Sequence, residues 1–201
     1  MRIDPTTAVV AIDGVRVPLD PDQRTWLVYK PVGVVSTMDD PQGRPIVTSL
    51  VPKTPVTKPV GRLDVHSEGL MLLTNDGDLA LRVTHPRYGI EKVYQVMTPT
   101  AATPRHIAAL LDGVDLDDGP ARGKRARIVS SNAGRSIVEV VMTEGRKREV
   151  RRLFEAVGLE VDRLVRTSIA GISDRTLSPG SYRPLSVDEI RSIYAKAGDD
   201  A

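Results

Sequence analysis

Between residues 61 and 86 the chain runs GRLDVHSEGLMLLTNDGDLALRVTHP, and its carboxylates are the first side chains whose type and spacing suit chemistry. Asp64 follows a proline-rich stretch and precedes the apolar run Leu70 to Leu73, so it stands at an element edge. Loops held there by a rigid scaffold are where reactive side chains are commonly placed. From spacing alone Asp64 reads as a turn or capping carboxylate before it reads as a catalytic one. With Glu68 it would form the paired carboxylates of glycoside chemistry, at a separation that the sequence leaves open. Asp76 and Asp78 read as turn and N-cap residues. Of the three histidines, His85 and His106 have no partner at metal or triad spacing, and the chain has no cysteine. Disulfides, thiolate metal sites, iron–sulfur clusters and thiol nucleophiles are removed together. The expectation is chemistry by oxygen and nitrogen side chains, with no metal and no cofactor.

Basic residues are the second constellation. Net charge is only +2, yet residues 121–152 hold 10 Lys and Arg against 3 Asp and Glu, and the flanking segments are mildly acidic. Such a concentration is the footprint of a polyanion partner or a solvated basic face. Eight of the ten are Arg, a bias that suits planar phosphate recognition. The spacing of Val150, Leu153, Phe154 and Val157 predicts a helix over 147–157 with one apolar stripe. On that helix Arg148 and Arg152 lie ~40° apart on the face away from Val150, and Arg151 lies ~100° from it. Arg146, Arg148 and Arg152, with Lys124 and Arg125 on the preceding strand, are therefore the candidate ligands for a nucleic-acid backbone.

The elements that must hold these residues follow from the rest of the pattern. The chain has 201 residues, 40% of them hydrophobic, with 16 Gly and 15 Pro, which describes a folded, loop-rich protein able to bury a core. No apolar run approaches the ~18 residues of a membrane span and the N-terminus lacks a signal-peptide core, so no membrane and a cytoplasmic location are expected. Strands are predicted at 8–12, 26–30, 34–37, 70–73, 91–97, 125–130, 136–143 and 161–169. The stretch 50–60, with three prolines, reads as a surface loop. Short helices are predicted after Asn75-Asp76-Gly77, from Thr103-Pro104 to Leu111, and after Ser186. In 91–97, Val93, Gln95 and Met97 alternate with Lys92, Tyr94 and Val96, and Tyr94 is placed on the exposed or cleft side. Irregular alternation with hairpin-like neighbours predicts an α+β fold, its sheet mixed and largely antiparallel, with flanking helices.

The block at 61–86 resembles the signature of the RsuA/RluB/RluE/RluF family of ribosomal-RNA pseudouridine synthases, in which GRLD is followed by a Thr or Ser and then GLLLLTNDG. YKPVGVVSTMDDPQGRPIV at 29–47, EKVYQV at 91–96, and EGRKREVRRLFEAVG at 144–158 followed by LVRTSIAGI resemble three further family segments, in the same order. Together they cover about residues 26–185. The departures are mild: Tyr29 for Asn, Ser67 for Thr, Met71 for Leu, and Lys147 and Glu149 for other polar residues.

The resemblance implies a pseudouridine-synthase catalytic fold with a central cleft, and Asp64 as the essential carboxylate. It implies that Arg62 helps hold an everted nucleotide, that Tyr94 lies against the uracil, and that Arg151 pairs with Asp64. The reaction would detach a uracil from C1′ of its ribose, turn it and rejoin it through C5, with no metal and no cofactor. Its partner would be ribosomal RNA or a pre-ribosomal particle, met by a monomer. The division expected is 1–25 as a linker strand and connection left from a missing N-terminal RNA-binding domain, and 26–201 as the catalytic domain. The competing reading is a non-catalytic RNA-binding or ribosome-assembly protein of the same fold, against which an intact GRLD aspartate argues.

Overall fold

The computed structural model describes residues 10–12, 15–17 and 22–198. In chain order the elements are strands β1 (Val10–Ile12), β2 (Val15–Val17), β3 (Thr25–Lys30), β4 (Lys58–Pro59) and β5 (Glu68–Thr74), then helix α1 (Gly77–Thr84). They continue with β6 (Lys92–Thr98), α2 (Pro104–Asp112), β7 (Val114–Leu116), β8 (Gly119–Ala121), β9 (Arg125–Asn132) and β10 (Arg135–Met142). Helix α3 (Glu149–Ala156), β11 (Arg163–Ile169), β12 (Tyr182–Pro184) and α4 (Val187–Ala197) complete the set. One sheet dominates, in the order β12-β3-β5-β11-β6-β10-β9, with β4 beside β5. Every pairing in it is antiparallel except β5 with β11. The fold is therefore the α+β arrangement expected, mixed and largely antiparallel. No helix among the described residues is long and apolar enough to cross a membrane.

Strand β5 is buried along its whole length, which explains why EGLMLLT reads as a continuous apolar run and shows no alternation. On one face Leu70 and Leu72 pack with Leu79 and Val83 of α1 and Ile193 and Tyr194 of α4. On the other, Met71 and Leu73 meet Val34, Val47 and Val51 from the loops after β3. A separate core under β6 and β10 is closed by Leu110 of α2 and Leu153 and Phe154 of α3. Asp76 caps α1 through the Leu79 N–H and accepts the Tyr194 hydroxyl, so one buried carboxylate ties α1 to α4. At α2, Thr103 is the N-cap and His106 answers it as the reciprocal half of a capping box, giving that histidine a structural role.

Three local expectations are corrected. Residues 34–37 form no strand: the chain turns through Pro31–Gly33, where Gly33 has φ +87°, and only Val35 makes an isolated bridge, to Ile46. The end of the proline-rich stretch pairs with β5, since a two-residue edge strand tolerates Pro59. Helix α3 begins at Glu149, because Arg148 has left-handed backbone dihedrals (φ +52°), so Arg148 and Arg152 do not share a helix face. Most of the segment expected as a linker lies outside the described residues. What is described of it before residue 22 is the antiparallel β1–β2 ribbon.

Candidate active site

Asp64 sits on the loop that enters β5, and that loop is gripped at almost every peptide. Ser36 Oγ donates to the Leu63 carbonyl at 2.8 Å and accepts from the Leu63 N–H at 3.1 Å. The Gly33 N–H donates to the Val65 carbonyl, and the Ser67 N–H donates back to the Asp64 carbonyl, closing a turn. Arg151 Nη2 donates to the His66 carbonyl at 2.9 Å while its Nη1 reaches the Val161 carbonyl at 3.2 Å. A loop whose peptide groups are bonded from two other segments and within its own turn is held in one arrangement.

Below the turn at 31–33, Lys30 is fully buried, its Nζ donating to the carbonyls of Pro31 and Val34. Burial pushes its ammonium down to about 8, and the negative charge of Asp64 acts in the opposite sense. The spacing of Lys30 and Ser36 marks neither of them as functional. The one signal that reaches them is the resemblance of YKPVGVVST to a family segment.

The half-buried Asp64 lines a cavity of about 60 Å³ with Arg62, Leu63, Ser67, Tyr94, Met142, Leu164 and the segment 144–150. Tyr94 bounds it from the buried face of β6. The alternation along that strand is as expected, and of the two settings foreseen for Tyr94 the cleft is the one observed: Lys92, Tyr94, Val96 and Thr98 are buried and Val93, Gln95 and Met97 half-buried. Helices α2 and α3 cover the Tyr94 face, which is why even Lys92 is buried there. Burial pushes the Lys92 ammonium down to about 8. Behind the Tyr94 ring stands the Arg166 guanidinium, 6.0 Å from its centroid, with Nε donating to the Leu70 carbonyl. Arg166 lies beside Gly69, where φ is +112° and a Cβ would come within 2.3 Å of the Arg166 carbonyl oxygen.

Arg151 is buried, and burial lowers its affinity for the proton, with Arg148 acting in the same direction and Asp64 against both. Among the described residues no ion pair joins it to Asp64. The structure gives it the backbone of the loop instead, at the His66 carbonyl two residues beyond Asp64.

The five residues expected on a nucleic-acid backbone are not equivalent. Arg146 is tied to Glu149, to Asp118 and to the carbonyls of Asp118, Gly119 and Pro120. Arg152 is bound by both Asp117 and Asp118, at the tip of the β7–β8 hairpin, which hold its proton more tightly, and its hydrogen bond draws the Asp118 carboxyl below the ordinary range. Lys124 and Arg125 share Glu91, at 3.0 and 2.6 Å. Arg148 has only a 3.7 Å contact with Glu155, both side chains being exposed. Arg62 is exposed at the cavity with no carboxylate partner among the described residues. The same residues contain no group of three or more His, Asp or Glu placed to hold a metal ion.

Residues 24–156 match the family described as RNA pseudouridylate synthase. The chain belongs to that family. The match takes in Asp64, Tyr94 and Arg151, and relatives extend it in the direction that the four sequence segments indicated. An uncharacterized RNA pseudouridine synthase of Mycobacterium tuberculosis is 45% identical over 98% of this chain and 79% of its own length. Ribosomal large subunit pseudouridine synthase B of Bacillus subtilis is 38% identical over 86% of this chain and 72% of its own. Among solved structures, a pseudouridylate synthase superposes with a TM-score of 0.77 at 28% identity, covering 96% of this chain and 83% of that one.

Proposed function

We propose that the chain isomerises uridine to pseudouridine in ribosomal RNA, with Asp64 as the reacting carboxylate and no cofactor. The observation that carries this reading is the position of Asp64: a half-buried carboxylate in a cavity of about 60 Å³, beside the Tyr94 ring, on a loop held by Ser36, Gly33 and Arg151. The bond from N1 to C1′ breaks and one from C5 to C1′ forms. The proton leaving C5 is balanced by one gained at N1, so nothing is oxidised, reduced or imported. A carboxylate facing C1′, a wall that retains the freed ring and an aromatic against its face are what this chemistry needs. Reaching the bond also requires the nucleotide to leave its stack. Ribosomal RNA is favoured as the substrate class by the Bacillus subtilis relative, a ribosomal large subunit enzyme by name.

The test is unmodified ribosomal RNA incubated with the chain, treated with carbodiimide and copied by reverse transcriptase. A new stop opposite a uridine is expected with the wild type. Asp64→Asn, which keeps the side-chain volume and removes the charge, should lower the rate at least about a hundredfold while RNA binding persists. Turnover by the variant above a tenth of wild type would remove Asp64 from its role.

A further inference from the structure

Charge counted along the chain and charge available to a ligand are different quantities here. Of the basic residues in 121–152, Arg125 and Lys124 are committed to Glu91, Arg127 to Glu139, Arg146 and Arg152 to the β7–β8 hairpin, and Arg151 to loop carbonyls. A guanidinium already neutralised by two carboxylates, as Arg152 is, must give them up to bind a phosphate and so gains little. A cation without a partner keeps its counterions until a phosphate displaces them, and that release drives binding. At the Asp64 cavity Lys147 is such a cation: it is exposed and has no carboxylate partner among the described residues.

Its chain neighbours are held on both sides. Arg146, immediately before it, is pinned by Glu149, Asp118 and three carbonyls, and Arg148, immediately after it, takes a left-handed turn into α3. The segment 144–150 lines the cavity on one side and Arg62, on the Asp64 loop, lines it from another. A nucleotide turned into the cavity leaves its flanking phosphates at this mouth. We propose that Lys147 is a ligand for the RNA backbone phosphate beside the everted nucleotide, working with Arg62 across the mouth of the Asp64 cavity. A lysine suits this position, because a compact ammonium on a flexible stem binds phosphate as a point charge, without regard to base sequence. The inference rests on the RNA-modifying reading above and adds the route by which the strand is held.

The experiment measures the affinity of the full chain for an unmodified large-subunit ribosomal RNA transcript across a salt series, with pseudouridine formation read on the same transcript. Lys147→Ala should flatten the slope of log affinity against log salt by about 0.7–0.9, so its affinity deficit shrinks about threefold between roughly 50 and 200 mM salt. Lys147→Arg should restore the wild-type slope. Arg127→Ala removes the same unit of charge from a residue paired with Glu139 and should leave the slope unchanged. An unaltered slope in Lys147→Ala, or an equal flattening in Arg127→Ala, would overturn the assignment. Should the wild type make no pseudouridine while Lys147→Ala still flattens the slope, the phosphate ligand stands and the catalytic reading falls.

Discussion

Arg151 and His66 lie 85 positions apart in the chain, and the guanidinium of the first donates to the carbonyl oxygen of the second at 2.9 Å. The residue expected as the partner of Asp64 therefore acts on the peptide two residues beyond it. Arg151→Ala leaves the His66 and Val161 carbonyls without their donor. Turnover should fall about ten- to a hundredfold, matching ~1.5–3 kcal/mol for a hydrogen bond to a charged group. Single-turnover rates check this, and a wild-type rate in Arg151→Ala would remove the arginine from the support of the loop.

Tyr94 is 6% exposed and belongs to the core under α2 and α3 as well as to the cavity wall. Tyr94→Ala should lower the stability of the free protein by about 3–5 kcal/mol, the cost of emptying a large aromatic site. Tyr94→Phe keeps the ring and its contact with Arg166, so it should unfold at nearly the wild-type denaturant concentration. Equal midpoints for Ala and Phe would mean that the ring is not part of the core.

Lys30 and Lys92 make stability rise with pH. Each is brought down from 10.5 to about 8 chiefly by burial. Between those values the unfolded chain binds more protons than the folded one, so the unfolding free energy increases with pH across the window. The penalty for burying charge is complete below pH 8 and relieved above it. Lys30→Met should make the curve flatter between pH 8 and 10.5 than that of the wild type, as measured by denaturant unfolding at several pH values. Parallel curves would place the Lys30 titration outside this window.

Gly69→Ala should be among the most damaging single methyl additions in the chain. The new Cβ meets the Arg166 carbonyl oxygen at 2.3 Å and its nitrogen at 2.6 Å, on a residue with φ +112°. Relief requires β5 and β11 to part, and a loss of about 3–5 kcal/mol is expected from thermal or denaturant unfolding. A loss below about 1 kcal/mol would mean that this strand pair yields easily.

The sequence was legible where one pattern had one physical cause. The buried run Leu70–Leu73, the Thr103 and Ser186 caps and the Ala133-Gly134 hairpin turn are local facts, and the structure repeats them. The orientation of Tyr94 was not legible, because alternation separates two faces without saying which one helices will cover. Nor was the fate of the arginines: Asp117 and Asp118 stand about thirty positions before Arg146 and Arg152 and meet them only through the fold. Arg148 misled the helical reading because a left-handed residue stands where an apolar periodicity alone extends the helix backward.

The single parallel neighbour in the sheet has a consequence in time. Glu68 and Val165, paired across β5 and β11, are roughly a hundred positions apart, and contacts so distant demand a long loop closure before they repay it. Helices α1 and α2 and the β9–β10 hairpin draw on neighbours and can form early. The seat and cavity of Asp64 draw on residues 33, 36, 151 and 164 together, so they become complete only when almost the whole sheet has closed. During synthesis Asp64 is thus made long before the arginine that steadies its loop. A nascent chain ending ahead of β11 has the chemistry in its sequence and no site in which to perform it.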